Sequence, residues 1–184
     1  MSLVELIAQA DERGLAASGL ACLDRCVPLL GGDDEILRPL WASLGDGAGA
    51  GEWGERLEQV RGKLDAAGPG DEAAVLARRM LEAAPAEPSA AGVRVWADAC
   101  SVASLQIHRL LDTAVDEASS VDSRREGRTE GMSPLVAAEL RRQITVLEVL
   151  AGHGPAGLRR ALEVSVEGRR VLRAVVSRRS RQQG

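Results

Sequence analysis

The chain has 184 residues, of which 45% are hydrophobic and 27% charged, and its formal net charge is −4. It contains no Phe and no Tyr, so acid–base chemistry by tyrosine is excluded and Leu, Val and Ala must build the core. The one lysine, Lys63, lies in a polar context that would not depress its pKa as a Schiff-base lysine requires. Because Ala and Leu favour helices and the chain is poor in aromatic residues, we predict an all-α fold.

Five helices are predicted in the first half of the chain. Ser2 and Glu5 have the spacing of a capping box, and later segments show glycine stops and apolar residues at helical spacing. The predicted helices are 2–14, 15–30, 33–44 with a kink at Pro39, 53–64 and 71–81. The glycine-rich segment 45–51 is predicted to be a flexible connector.

In the second half of the chain, the apolar spacing predicts a long helix over 90–119. We expect this helix to be the central strut of the fold. The following segment, 119–132, is dense in charge, Ser and Gly and predicts a mobile loop. Ser133 and Pro134 form a strong helix start, and a last helix begins near Pro155. The whole chain, 1–184, is therefore predicted to be a single all-α domain: a helical bundle of about seven to eight helices with one long central helix.

The last helix has an unusually wide apolar surface. At 100° per residue, its apolar side chains spread over roughly 200°. They are Leu158, Leu162, Val164, Val171, Leu172, Val175 and Val176. Either two neighbouring helices enclose this helix, or a second subunit covers part of it. A homo-oligomer, most simply a two-fold homodimer, is therefore one expectation.

Cys22 and Cys26 are one helical turn apart and share a face. One hypothesis is a zinc or redox pair, with Cys100 and His108 as further ligands, because thiolates and imidazoles bind zinc. The alternative, which we favour, is that Gly19, Cys22 and Cys26 are small residues that let a neighbouring helix approach closely. We therefore predict no metal site and no cofactor.

Ser104, His108 and Asp112 stand four residues apart on the long helix and match the components of a catalytic triad. A straight helix also produces such an alignment by chance, and none of the three belongs to an inferred cleft. We expect an ordinary His–Asp pair at the surface or boundary of the core. No catalytic residue is predicted, and the protein is predicted not to be an enzyme.

Charge is distributed unevenly along the chain. Residues 1–120 hold ten basic and twenty acidic side chains, whereas residues 121–184 hold thirteen basic and seven acidic ones. A candidate interaction surface follows from the last helix: Arg159, Arg160, Arg169, Arg170, Arg173, Arg178 and Arg179. It could bind phosphates or an acidic partner, or it could complement the acidic half of the same chain or of a second copy. The overall acidity and the lack of interleaved aromatic residues argue against nucleic acid.

The segment Arg13-Gly14-Leu15-Ala16-Ala17-Ser18-Gly19-Leu20-Ala21-Cys22-Leu23-Asp24-Arg25-Cys26-Val27-Pro28-Leu29-Leu30 resembles uncharacterised helical proteins of high-GC Gram-positive bacteria, as does Val95-Trp96-Ala97-Asp98-Ala99-Cys100. The resemblance implies a bacterial, cytoplasmic protein and transfers no activity or site. A cytoplasmic location also agrees with three cysteines, an odd number, and with the lack of a signal peptide. No apolar run reaches the roughly 20 residues of a membrane span.

Three functions are compatible with these features. The first is a non-enzymatic interaction or regulatory protein that acts through its helical surfaces on an unknown protein partner, and that forms a homo-oligomer. The second is a small-molecule-binding protein in which Trp41, Trp53 or Trp96 lines an apolar pocket between helices. The third is a nucleic-acid-associated protein that uses its arginine-rich end.

Overall fold

The computed structural model describes residues 1–45, 50–64, 70–87 and 89–183. These residues form only helices, turns and irregular segments, which confirms the predicted all-α class. The helices are α1 Leu3–Gln9, α2 Glu12–Arg25, α3 Arg38–Ser43, α4 Ala50–Leu64, α5 Glu72–Ala83, α6 Ala90–Leu111, α7 Val121–Arg125, α8 Pro134–His153 and α9 Leu158–Gln183. Of the predicted connector 45–51, residues 46–49 lie outside the described residues. No helix in the described part of the chain combines the length and the apolarity needed to cross a membrane.

The N-terminal helices begin at side-chain caps. The capping box of α1 is confirmed, since Ser2 N donates to Glu5 Oε2 at 2.7 Å and Glu5 N donates to Ser2 Oγ at 3.3 Å. The predicted end of this helix at Gly14 is wrong. Asp11 caps a new helix, α2, by accepting a hydrogen bond from Gly14 N at 2.7 Å, so the first helix has already ended.

Pro39 does not kink a helix. It lies in the first turn of α3, which begins at Arg38. A proline there sacrifices no hydrogen bond, because the N–H groups of the first turn have no partner within the helix. The predicted helix 33–44 is therefore wrong in its first part, which forms turns.

The core is organised around α2, in which every residue from Gly14 to Arg25 is buried. Helices α6, α8 and α9 all pack against it. Helix α6, the predicted strut, also contacts α5 and α8 but ends at Leu111 and not at Ser119. It ends there because Asp112 adopts an extended backbone conformation.

The wide apolar surface of α9 is largely covered within the chain. Helix α9 packs against both α2 and α8, so that Leu172 and Val164 are buried from two sides. Val171 remains 38% exposed. Of the two explanations for this surface, enclosure between neighbouring helices accounts for most of it, and a second subunit is not required.

The segment 119–132, predicted as a mobile loop, contains the short helix α7. Two of its arginines are buried: Arg124 pairs with Asp116 at 3.1 Å, and Arg125 pairs with Asp98 of α6. Its composition indicated a loop because charges are usually solvated. Here two of those charges point inward and anchor the segment.

Helix α4 packs against the core through a buried apolar face and is also bonded to backbone carbonyl groups. Arg61 Nη2 donates to the carbonyl oxygens of Leu81, Glu82 and Ala84 at 3.2, 2.9 and 2.9 Å. Trp53 Nε1 donates to the carbonyl oxygen of Pro85 at 2.8 Å. The bond from Arg61 also satisfies the Glu82 carbonyl in the last turn of α5, where carbonyl groups lack partners within the helix.

Gly19 of α2 allows the ring of Trp96 to approach closely. A Cβ atom on Gly19 would lie 2.6 Å from that ring, which Trp96 cannot easily vacate, because its Nε1 donates to Met80 O at 2.9 Å. Gly19→Ala is therefore expected to lower the free energy of unfolding by about 1–3 kcal/mol, measured by urea denaturation. The reference is Gly62→Ala in α4, where no atom would lie within 4 Å.

Intrinsic helix propensity alone predicts that Gly19→Ala and Gly62→Ala both raise the free energy of unfolding, by up to about 1 kcal/mol. Gly62→Ala is expected to show that gain. A Gly19→Ala variant that is also stabilised would show that the ring does not occupy this space.

Candidate functional site

A cluster of buried polar side chains lies inside the bundle and is centred on Glu139 of α8. The Glu139 carboxylate accepts hydrogen bonds from Arg25 Nε and Nη2 at 2.6 and 2.7 Å, from Ser104 Oγ at 2.7 Å and from Gln143 Nε2 at 2.9 Å. His108 Nε2 lies 3.6 Å from the same carboxylate. All five residues are at most 1% exposed, and we call them the buried polar cluster.

The charges in this cluster are fixed by its surroundings. Burial raises the pKa of Glu139, but the Arg25 guanidinium and the hydrogen bonds from Arg25 and Gln143 outweigh burial and lower that pKa to about 2. Burial lowers the pKa of His108, and Glu139 opposes this only in part. At neutral pH the cluster therefore contains an Arg25–Glu139 ion pair beside an uncharged imidazole. This arrangement stabilises an ion pair and leaves Glu139 with no proton to donate.

The triad hypothesis does not match the geometry. Ser104 Oγ donates to Glu139, and His108 Nδ1 is 2.7 Å from the Ser104 carbonyl oxygen. Asp112 faces elsewhere, since its Oδ2 accepts from Leu135 N at 2.8 Å at the start of α8. Our expectation of a His–Asp pair at the surface or boundary is also wrong, because His108 is buried and its neighbouring carboxylate is that of Glu139.

The three cysteines are buried in the main hydrophobic core and form no disulfide. Burial raises the pKa of Cys22 to about 12, and its Sγ lies 3.5 Å from Arg25 Nη2. Cys26 Sγ is 3.9 Å from Ser104 Oγ, and burial raises its pKa as well. Thiols in this environment stay protonated, whereas metals bind the thiolate. Among the described residues, no three His, Cys, Asp or Glu side chains are grouped so as to hold a metal ion.

The arginines of α9 do not form one surface. Arg169 is 6% exposed and points inward to Asp24 of α2. Arg173 pairs with Asp34, and Arg179 lies 3.4 Å from Asp71. Three of the seven predicted surface arginines therefore pair with the acidic N-terminal half of the same chain.

The other four arginines are exposed. Arg159 and Arg160 pair with Glu163 on their own helix, at 3.9 and 3.4 Å. Arg170 and Arg178 have no ion-pair partner within the described residues. Most of the seven predicted arginines are thus paired within the chain, which weakens the nucleic-acid alternative.

An apolar groove of about 540 Å³ lies between α5 and α6, and we call it the α5–α6 groove. Eight of its ten lining residues are apolar, and the two polar ones are Arg79 and Gln106. The lining residues are Leu76, Arg79, Met80, Ala83, Trp96, Ala99, Cys100, Val102, Ala103 and Gln106. Two other depressions of 440 and 490 Å³ have more polar linings that include acidic side chains.

The floor of the groove consists of Met80, Trp96 and Cys100, which are at most 3% exposed. The Trp96 ring is held by its hydrogen bond to Met80 O and by an edge-to-face contact with Trp53, with ring centroids 5.9 Å apart. Ala99 of α6 and Arg79 of α5 are exposed at the rim. The groove is therefore a preformed concave surface with an apolar base.

Of the three tryptophans predicted as pocket candidates, Trp96 lines the groove. Trp53 supports it from behind, and its Nε1 is bonded to the Pro85 carbonyl. Trp41 lies elsewhere in the core, where its Nε1 donates to Asp24 Oδ2 at 2.8 Å.

Sequence reasoning did not single out Arg25, Glu139 or Arg79. A signal existed for Glu139, because Glu139 and Gln143 lie three and seven residues after Val136 and so fall on the apolar face of α8. Arg79 gave no such signal, since an arginine next to Met80 on an amphipathic helix is ordinary.

Comparisons with known proteins do not extend this description. No family model, curated protein or solved structure matches the chain.

Proposed function

We propose that the protein is a non-enzymatic binding protein that holds an apolar small molecule in the α5–α6 groove. The observation that carries the proposal is the groove itself: about 540 Å³, eight of ten lining residues apolar, and a floor of buried side chains. Ligand sites in proteins typically have volumes of about 300–1,000 Å³ and mostly apolar walls with a few polar groups.

The rigidity of the floor supports binding. Trp96 is fixed by a hydrogen bond and by Trp53, so the groove does not need to reorganise when a ligand enters. Burial of the ligand's apolar surface would supply about 25 cal/mol per Å². A preformed site keeps more of that energy as affinity.

A non-enzymatic role is supported by the position of the groups able to transfer protons. Ser104, His108 and Glu139 are at most 1% exposed, and their hydrogen bonds are made within the buried polar cluster or to backbone. The polar side chains that line the groove are, in contrast, those of Arg79 and Gln106. These two do not form an acid–base pair. A cytoplasmic location remains part of the proposal and is supported by three unpaired thiols.

The test is calorimetric titration with 1-decanol as an uncharged apolar probe. Wild-type protein is expected to bind it, and Ala103→Leu, which fills the groove, is expected to reduce the affinity at least tenfold. Ala91→Leu is the matched control, because Ala91 is exposed on the same helix and does not line the groove. Loss of binding in both variants, or in neither, would contradict the proposal.

Self-association is a second candidate, and exposed apolar residues on α6 favour it. Val95 is 72% and Leu110 37% exposed, and they lie near opposite ends of the helix that forms one wall of the groove. A second copy packed on this face would cover the groove. Light scattering distinguishes the two functions. A stable dimer that Ala103→Leu dissociates would mean that the occupant of the groove is a second copy of the chain and not a small molecule.

A further inference from the structure

Of the described residues, Arg79 is the one charged residue lining the α5–α6 groove. It has no hydrogen-bond or ion-pair partner among the residues that the structure describes. Many other arginines of this chain are paired, including Arg25, Arg61 and Arg169. The groove therefore combines an apolar surface with one available guanidinium group.

We infer that the ligand is an amphipathic anion: an apolar chain that ends in a single carboxylate, which Arg79 binds at the rim. This inference rests on the proposed function and specifies the chemical class of its ligand. Guanidinium and carboxylate groups match in geometry and form paired hydrogen bonds. The apolar chain would then contact Trp96, Met80 and the alanines of α6.

The chain and the headgroup have separate places in the groove. Met80 and Trp96 face each other, as the bond between Trp96 Nε1 and Met80 O shows. Arg79 precedes Met80 on α5 and is exposed at the rim. From Trp96 to Gln106 the wall continues along α6 for ten residues, which is about 15 Å. An extended chain therefore has a largely apolar wall to lie along while its headgroup stays at the rim.

Charge complementarity favours an amphipathic anion over a neutral or a cationic ligand with the same apolar chain. A neutral chain would lie beside the guanidinium and displace part of its water without forming a bond in return, which costs free energy. A cationic amphiphile would add repulsion from Arg79. Within the described part of the chain, no carboxylate lines the groove to attract such a cation.

The test compares decanoate, 1-decanol and decylamine at pH 7.5 and low salt, by calorimetric titration. Decanoate is expected to bind about fivefold to tenfold more tightly than 1-decanol, which corresponds to about 1–1.4 kcal/mol. Decylamine is expected to bind most weakly. The preference for decanoate should shrink as salt is added, because Arg79 is exposed and its charge is screened.

Arg79→Gln is expected to remove the preference for decanoate and leave the affinity for 1-decanol unchanged, whereas Arg79→Lys keeps part of the preference. Arg78→Gln is the matched control: it removes the neighbouring positive charge, which belongs to a different depression. Equal affinities of the wild-type protein for decanoate and 1-decanol would overturn this inference and leave the proposed function standing. So would a preference that survives in Arg79→Gln. If neither probe binds, the proposed function fails as well.

Discussion

Glu139→Gln is expected to lower the free energy of unfolding by about 3–5 kcal/mol, the cost of leaving one partner of a buried ion pair without its counter-charge. Arg25 is fully buried, and Glu139 provides its two shortest hydrogen bonds. A glutamine cannot neutralise it. Urea denaturation of the purified variant measures the loss.

The matched control is Glu163→Gln, which removes an exposed pair with Arg160 and is expected to cost at most about 1 kcal/mol. The double variant Arg25→Met/Glu139→Leu should recover much of the lost stability, because it removes both charges. A single Glu139→Gln variant as stable as wild type would contradict the assignment of this ion pair.

Glu139→Gln also changes how the free energy of unfolding depends on pH. The pKa of Glu139 is lowered to about 2 in the folded protein from 4.5. Its stabilising contribution is thus fully present above about pH 4.5 and is lost as the pH falls towards 2. The difference in stability between wild type and Glu139→Gln should therefore narrow across this window.

Asp24→Ala is expected to cost about 3–5 kcal/mol, because it leaves the Arg169 guanidinium buried without its carboxylate. It also removes the acceptor of the Trp41 Nε1 hydrogen bond. Burial raises the pKa of Asp24 even though Arg169 favours its charged form. Removing this carboxylate from water therefore costs free energy in the folded protein. Thermal unfolding and urea denaturation both report the loss.

Arg173→Gln is the control for this prediction, because Arg173 lies on α9 with Arg169. Arg173 pairs with Asp34, but both side chains are nearly half exposed, so the change is expected to cost at most about 1 kcal/mol. Equal losses in Asp24→Ala and Arg173→Gln would mean that burial of the Arg169 pair has no energetic consequence.

The helices with local signals could be predicted from the sequence. Helix α8 begins at Pro134, as the Ser133–Pro134 pair indicates, and the Asp71 cap of α5 accepts a hydrogen bond from Ala74 N. These features depend on residues three or four positions apart. Where a second local signal competed, the prediction failed: Asp11 ended the first helix early, and Pro39 began a helix that it was expected to kink.

The buried pairs could not be predicted because their partners are far apart along the chain. Arg25 and Glu139 are separated by 114 residues, and Asp24 and Arg169 by 145. Each charge taken alone suggests a solvated surface. The groove was anticipated only as a pocket near a tryptophan, because its shape depends on how α5 packs against α6.

The attachment of α4 has a consequence for which substitutions the protein tolerates. Arg61 and Trp53 bind oxygen atoms of the main chain over 81–85, and every amino acid supplies such an atom. The exposed side chains of that stretch, Glu82 and Ala83, can therefore change without breaking these bonds, whereas Leu81 and Ala84 are held by the core. Arg61 and Trp53 have no such freedom, so among descendant sequences we expect variation at Glu82 and Ala83 and little at the two donors.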